Sequence, residues 1–514
     1  MNFNRIKSFN IISCYPVVIL LLAIGISLFA YALYGLGMLL HFDEWVGRGL
    51  YPGLALAYGA DIYEPFNGPH ITLYGAGTAL FYAPAAIAST PQLAIWISFL
   101  LNLFGLIIPI GYLFSRIFFH NFSKFTELTI CIITLLIISI SILSIEPTTE
   151  GVLRTHADLP AFCFLLISLC FFEAYIRNQT KIQMIYVCFF LTLSVWAKAP
   201  TLPAVLFPVI YFVSCKEYRN ILKYITYLVF VFLITSSVIF SVYGYEDTIT
   251  ILYKHLKANS WSVRNSLFYG KSTLVQMSYF DAIPLLFRFS VMYLAEYWYI
   301  LVTISICTFC TWNQDSKEPK HLIIKNLCII YFLTLPSCLA ALAHYGSVHN
   351  ALLFANAIGI LGLIFSLVSL GITHVPKKEF LFIAVVIAPI CTLPIVRISK
   401  SAPDSTLLSP HQQAFEYLKS GKDDIYFGWY PIAHLLHSGK AETSIEVPMH
   451  LSESMPENVV FSSNHFPKNA RILATNPGGF GKNMLQPYLG ILEEVDRPDE
   501  LSGWRLFEPV NVDK

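Results

Sequence analysis

The chain has 514 residues, 56% hydrophobic and 13% charged, with a mean hydropathy of +0.61. A soluble fold of this size needs a charged surface that such a composition cannot supply, so an integral membrane protein is expected. Lys and Arg (33) balance Asp and Glu (32), and the cations sit in short clusters between apolar runs, which argues against a nucleic-acid partner.

In chain order, Arg5 and Lys7 precede an uncharged run over 11–40. That run is too long for a signal-peptide core and lacks a clear small-residue cleavage site, so it reads as an uncleaved first span. A helix needs about 20 apolar residues to cross a hydrocarbon core of about 30 Å. Candidate spans are 14–40, 92–115, 127–145, 159–176, 182–197, 199–213, 221–242, 289–311, 323–343, 351–372 and 379–397. The fifth and sixth are short and are separated by the turn Lys198-Ala199-Pro200.

The apolar stretch 72–90, with Gly75, Gly77 and Pro84, is ambiguous, because only Pro91 and Gln92 part it from the next span. The excess of Lys and Arg in cytoplasmic loops decides it. If 72–90 does not cross, the basic clusters Arg5 and Lys7, Arg116 and Lys124, Arg177 and Lys181, Lys216, Arg219 and Lys223, Lys317, Lys320 and Lys325, and Lys377 and Lys378 all lie inside. The short outer loops then hold only Arg48, Arg154 and Lys198, and the longer outer loop 243–288 has its basic residues diluted over its length. Segment 72–90 is therefore expected to be a membrane-embedded juxtamembrane helix on the outer face. About eleven spans then leave the N-terminus in the cytoplasm and residues 398–514 outside. The sequons at Asn121 and Asn178 fall inside, which leans towards a bacterial inner membrane.

The tail is different material. Ser409-Pro410 can cap a helix running to Lys419, Gly421 can stop it, and β-like runs follow at 425–427 and 471–474, with turn signals at 476–479. This predicts a small extracytoplasmic α+β domain, 398–514, after a membrane module, 1–397. All eleven cysteines lie in or beside apolar runs before the tail, so the exposed parts carry no disulfides. The pair Cys307 and Cys310 reads as small buried helix residues rather than as a redox or metal site.

Ionisable groups at membrane depth are costly and so are functional candidates. They gather on the outer face: Asp43 and Glu44; Glu150, Arg154, His156 and Asp158; Lys198; His255, Lys257 and Arg264; His344 and His349. A carboxylate there can take the proton of an acceptor hydroxyl, and cations can hold a phosphate leaving group. A lipid-phosphate donor would bring its phosphate to this depth. Structural readings stand beside these. Asp43-Glu44 can end a helix at the interface, Arg154 can pair with Glu150, Lys198 can snorkel to water, and the histidines can be satisfied interfacial residues. No tight metal-ligand spacing such as HExxH is present.

The run His41-Phe-Asp43-Glu44-Trp45-Val-Gly-Arg48, leading into Leu56-Ala57-Tyr58-Gly59-Ala60-Asp61-Ile62-Tyr63-Glu64-Pro65 and an apolar segment opening at Tyr74, resembles the first periplasmic loop of GT-C-fold glycosyltransferases. The most similar group is the protein mannosyltransferase and aminoarabinose transferase type, which uses polyprenyl-phosphate-linked sugars. The resemblance covers roughly residues 1–400. It implies that Asp43 of the Asp-Glu pair is the catalytic base and that Asp158, in Ala157-Asp158-Leu159-Pro160, is a second acidic residue at the head of the fourth span. It also implies that Lys198, in Ala197-Lys198-Ala199-Pro200, contacts donor phosphate. Gly346-Ser347-Val-His-Asn350 is similar to a loop of relatives of uncharacterised specificity.

The implied activity is an inverting transfer from a polyprenyl-phosphate sugar to a glycan, lipid or protein hydroxyl at the outer membrane face. The catalytic candidates are Asp43, Glu44 and Asp158. The substrate- and phosphate-binding candidates are Lys198, Arg154, Arg264, His156, Tyr63 and His344. No fixed cofactor is implied, and a divalent metal is left open, with Asp158 or Glu150 as its ligand. The rival readings are a transporter or flippase of a lipid-linked sugar and a non-catalytic assembly or sensor protein. Transporters place polar sites near mid-bilayer, whereas here Glu296 is the clearest charge within a span.

Overall fold

A computed structural model describes residues 46–63, 69, 71–118, 155–254, 261–263, 273–275, 282–312, 318–343, 349–374, 408–422, 424–445, 447, 472–475, 492–496, 498–501 and 504–509, with residues 34, 37, 38 and 41 before them. The membrane part comprises α1 (Gly47–Ala57), α2 (Ala76–Tyr82), α3 (Pro91–Phe118), α4 (Asp158–Asn178), α5 (Lys181–Ala197), α6 (Phe207–Ser214), α7 (Tyr218–Tyr243), α8 (Tyr245–Ile249), α9 (Ile283–Trp312), α10 (Pro319–Ala343) and α11 (Leu353–His374). Among the described residues, α3, α4, α7, α9 and α10 are long and apolar enough to cross a membrane. The expected spans 127–145 and 379–397, and nearly all of 14–40, lie outside the described residues.

Helices α4 and α5 form an antiparallel hairpin. Its turn is made by Gln179 in the left-handed region (φ 52°), whose amide returns to the Tyr175 carbonyl. The start of α4 and the end of α5 therefore share one end of the bundle, where Ser194 Oγ donates to the Ala161 carbonyl at 2.8 Å. At the opposite end, Arg116 Nε meets Glu173 Oε1 at 2.9 Å and Tyr112 OH donates to Glu173 Oε2 at 2.7 Å, which pins α3 to α4 around a buried carboxylate. Lys325, grouped above with the cytoplasmic cations, is buried in α10. Its Nζ donates to the Trp312 carbonyl at 3.3 Å and lies over that indole. Helix α7 shows the apolar exposure expected of a surface meant for lipid, including Leu222, Phe230 and Leu233.

The stretch 72–90 does not form a spanning helix. Helix α2 has 7 residues and runs into a 5-residue 3₁₀ turn, Ala83–Ile87, opened by Pro84. Together they reach about 20 Å at most, short of the roughly 30 Å core. The two glycines explain its placement. A Cβ on Gly75 would stand 1.5 Å from the Trp196 carbonyl oxygen, and one on Gly77 2.5 Å from that of Leu193. Only glycine lets α2 lie this close to the last turns of α5, where Thr78 also donates to the Ala197 carbonyl at 3.3 Å.

Two strands, β1 (Trp261–Val263) and β2 (Thr273–Val275), pair antiparallel in the long loop between α8 and α9. Residues 410–509 contribute α12 (Pro410–Lys419), α13 (Pro431–Ser438) and the strands β3 (Ile425–Tyr426), β4 (Ile472–Thr475), β5 (Leu492–Val495) and β6 (Arg505–Pro509). The sheet order is β3-β4-β6-β5, with β3 and β4 parallel and the other pairs antiparallel. As expected, Ser409 caps α12 by accepting from the Gln412 amide at 3.2 Å, and Gly421 (φ 83°) follows its end. The stretch Phe427–Pro431 is core. Trp504 packs edge-on against both Phe427 and Tyr430, at 5.0 and 4.9 Å between ring centroids.

This C-terminal part rests on α1. Tyr51 OH accepts from the Glu442 amide at 2.7 Å and donates to the carbonyl of the same residue, while Trp429 and Pro431 abut Gly47. Burial raises the Glu442 carboxyl from 4.5 to about 7, with Lys440 opposing the shift and Tyr51 and Tyr426 facing the same space.

Two outcomes are expected. Gly75→Ala and Gly77→Ala each force backbone against backbone and destabilise the protein by about 1–3 kcal/mol or more, read as a lower Tm of the purified protein in detergent. The folded state favours protonated Glu442, so this contribution is complete below pH 4.5 and lost as pH rises through about 7. Glu442→Gln should flatten that part of the Tm–pH curve.

Candidate active site

Asp158 opens α4, in the first turn where unpaired backbone amides favour an anion. It is fully buried. An isolated carboxylate there would be very unfavourable, and its compensation comes from two sides. Lys198 Nζ lies 2.5 Å from Oδ1, and His156 Nδ1 bonds Oδ2. Lys198 has left the helix (φ −154°, ψ 123°) between the end of α5 and the 3₁₀ turn Ala199–Leu206. Its backbone is held on both sides, the amide donating to the Ser194 carbonyl at 3.0 Å and its carbonyl accepting from Thr201 Oγ1 at 2.8 Å. From α10, Ser337 Oγ donates to the Pro200 carbonyl at 2.6 Å. Lys198 therefore does not snorkel outward. Its ammonium turns inward, yet its side chain keeps 17% exposure, so part of it faces an approachable surface.

His156 continues the array. Its Nε2 lies 2.8 Å from the Tyr74 hydroxyl, and the two rings meet edge to face. Tyr74 stands just before α2. Its carbonyl accepts from the Tyr63 hydroxyl at 2.8 Å, and its amide donates to Thr72 Oγ1 at 2.9 Å. The Tyr63 amide in turn donates to Asp61 at 2.9 Å, and its ring packs on Tyr243. Thr155, beside His156, donates its hydroxyl to the Val46 carbonyl at the head of α1.

The structure thus brings four of the expected site residues, Tyr63, His156, Asp158 and Lys198, to one end of the bundle. Asp43, Glu44, Arg154, Arg264 and His344 lie outside the described residues, as do Glu150, His255 and Lys257. Among the described residues no three His, Cys, Asp or Glu side chains gather as metal ligands. Tyr74 was missed as a site residue. The one local signal was its position at the mouth of an apolar segment with two glycines, because its partner lies 82 residues away.

Chemically, a lysine ammonium, a carboxylate, an imidazole and a phenol in line can bind an oxyanion at one end and exchange a proton at the other.

The whole chain is similar in fold to the crystal structure of ArnT from Cupriavidus metallidurans bound to undecaprenyl phosphate. The TM-score is 0.51, with 10% identity over 97% of this chain and 98% of that one. At that identity the likeness speaks for the fold: a mostly helical chain with apolar spans that resembles a membrane GT-C protein. No family profile and no curated protein matches the sequence.

Replacing Lys198 by Met strands a buried carboxylate and should destabilise the protein by about 3–5 kcal/mol. Adding Asp158→Asn should recover much of that loss. A double-mutant cycle on Tm reads the coupling, and additive losses would contradict the pair.

Proposed function

We propose that this chain is an inverting glycosyltransferase. It would move a sugar from a polyprenyl-phosphate donor to an acceptor hydroxyl at the outer face of a bacterial inner membrane. The observation that carries this reading is the Lys198–Asp158 pair. A partly exposed ammonium is held by a fully buried carboxylate at the end of a bundle whose fold is similar to that of ArnT, solved with undecaprenyl phosphate. Lys198 can release part of its charge to a phosphate oxygen while Asp158 keeps it in place, and Tyr63 holds the segment that faces it. In this reading residues 1–397 are the catalytic module and 398–514 an extracytoplasmic domain set against its first loop.

Asp43 takes the role of general base that the resemblance of the first loop implies, with Glu44 beside it. Val46, three residues on, is tied to Thr155 next to the array. Arg154, Arg264 and His344 are proposed as further contacts to donor phosphate or acceptor. Inversion needs a single displacement. The acceptor oxygen attacks the anomeric carbon as its proton passes to a base, and the bond to phosphate breaks with the electron pair leaving on oxygen.

Deleting the gene should remove a sugar-sized mass from an envelope glycan, lipid or protein, read by mass spectrometry. The wild-type gene should restore it. Asp43→Asn, accumulating normally, should lower transfer by about 10²–10⁴-fold. Identical envelope masses with and without the gene would contradict the proposal.

A further inference from the structure

We propose that Tyr74 is a second catalytic residue: its hydroxyl takes the acceptor proton on from the base, Asp43, and hands its own to His156. The inference rests on the glycosyltransferase reading above and adds a residue to it. It starts from what each atom can do. Asp158, held as a carboxylate by the Lys198 ammonium 2.5 Å away, can only accept hydrogen bonds. The His156 nitrogen that meets it, Nδ1, must therefore carry the proton. In the neutral ring that leaves Nε2 with a lone pair, and the atom 2.8 Å from it is the Tyr74 oxygen. The phenol therefore donates to the imidazole, and its oxygen is left richer in electron density. This is the order of groups, hydroxyl to imidazole to carboxylate, that activates a hydroxyl for proton exchange.

The surroundings fit that work. His156 and Asp158 are buried, whereas Tyr74 is half-buried, so the array is protected at its carboxylate end and approachable at its phenol end. The backbone that carries the phenol is held from two directions, by the Tyr63 hydroxyl on its carbonyl and by Thr72 on its amide. Gly75, the next residue, is locked against the Trp196 carbonyl two residues before Lys198. The segment that carries the phenol and the turn that carries the ammonium are therefore one rigid unit.

The step balances. The acceptor O–H gives its proton to Asp43, which passes it to the Tyr74 oxygen as the Tyr74 proton moves to His156 Nε2, and the new oxygen–carbon bond forms. The bond from the anomeric carbon to phosphate breaks, and its electron pair leaves on the phosphate held by Lys198. The imidazolium, stabilised by Asp158, later returns its proton through Tyr74 to the departing phosphate or to water.

Three readouts test this on the full-length protein. The first is binding of undecaprenyl phosphate to nanodisc-embedded protein by native mass spectrometry, which wild type should show and Lys198→Met should weaken at least tenfold. The second is restoration of the envelope mass in the deletion strain. Tyr74→Phe should bind undecaprenyl phosphate within twofold of wild type and lose transfer about 100-fold or more, and adding His156→Asn should lower transfer no further. Tyr74→Phe that transfers like wild type, or that loses binding and transfer together, overturns the proposal. The third needs no substrate. In ¹⁵N-histidine spectra, the resonances absent from His156→Asn should show a neutral ring protonated at Nδ1, and Asp158→Asn should remove that preference. A ring protonated at Nε2 overturns the relay. Wild type that binds no undecaprenyl phosphate overturns the parent reading instead, and the spectra still decide the order of groups.

Discussion

A fully buried carboxylate and the ammonium that meets it determine the rest of this structure. Asp158 is fully buried, and the protein compensates it with Lys198, His156 and the amino end of α4. Such a pair is stable only if neither partner can drift, because a small separation restores the desolvation cost without the attraction. That requirement accounts for the density of backbone ties around it. Ser194, Thr201 and Ser337 hold the strand of chain through Lys198 and Pro200, and the α4–α5 hairpin sets its register. The glycines of α2 then allow a third element to close over the turn.

Much of this frame was legible from the chain. The run 159–176 corresponds to α4, Asp158–Asn178, because a long apolar stretch whose one internal charge, Glu173, sits near its end has one economical conformation in lipid. The break at Lys198-Ala199-Pro200 was visible because proline removes a donor and opens a new turn. The refusal of 72–90 to span was legible from loop charge, and the short α2 agrees with it. Ser409 and Gly421 declared their helix from local capping rules.

What local rules could not show was direction. Lys198 at a helix end reads equally as a snorkelling cation, and only the fold turns it toward a residue 40 positions earlier. Lys325 reads in sequence as one of a basic cluster, and nothing local shows that it packs against Trp312 of α9. Tyr74 carried no motif, since a phenol becomes chemistry only through its neighbour. The sheet order β3-β4-β6-β5 depends on pairings between distant segments and left no trace in the spacing of the strands. The hydrogen-bonded trio Tyr293, Tyr331 and Asn356, which joins α9, α10 and α11 inside the bundle, was hidden in the same way.

The C-terminal part completes the picture mechanically. It grips Tyr51 and Gly47 on α1, and the head of α1 is gripped from the other side by Thr155. The stretch of the first loop from Val46 to Tyr51 is therefore fixed between the tail and the ionic site. A catalytic loop in this place would inherit its aim from both.

The most direct test is an experimental structure of the full chain in a lipid nanodisc with undecaprenyl phosphate. The account predicts phosphate density within hydrogen-bonding distance of Lys198 Nζ, with Asp43 and Tyr74 lining the same cavity. Phosphate bound elsewhere, or Asp43 on the far side of the bundle from Lys198, would contradict it.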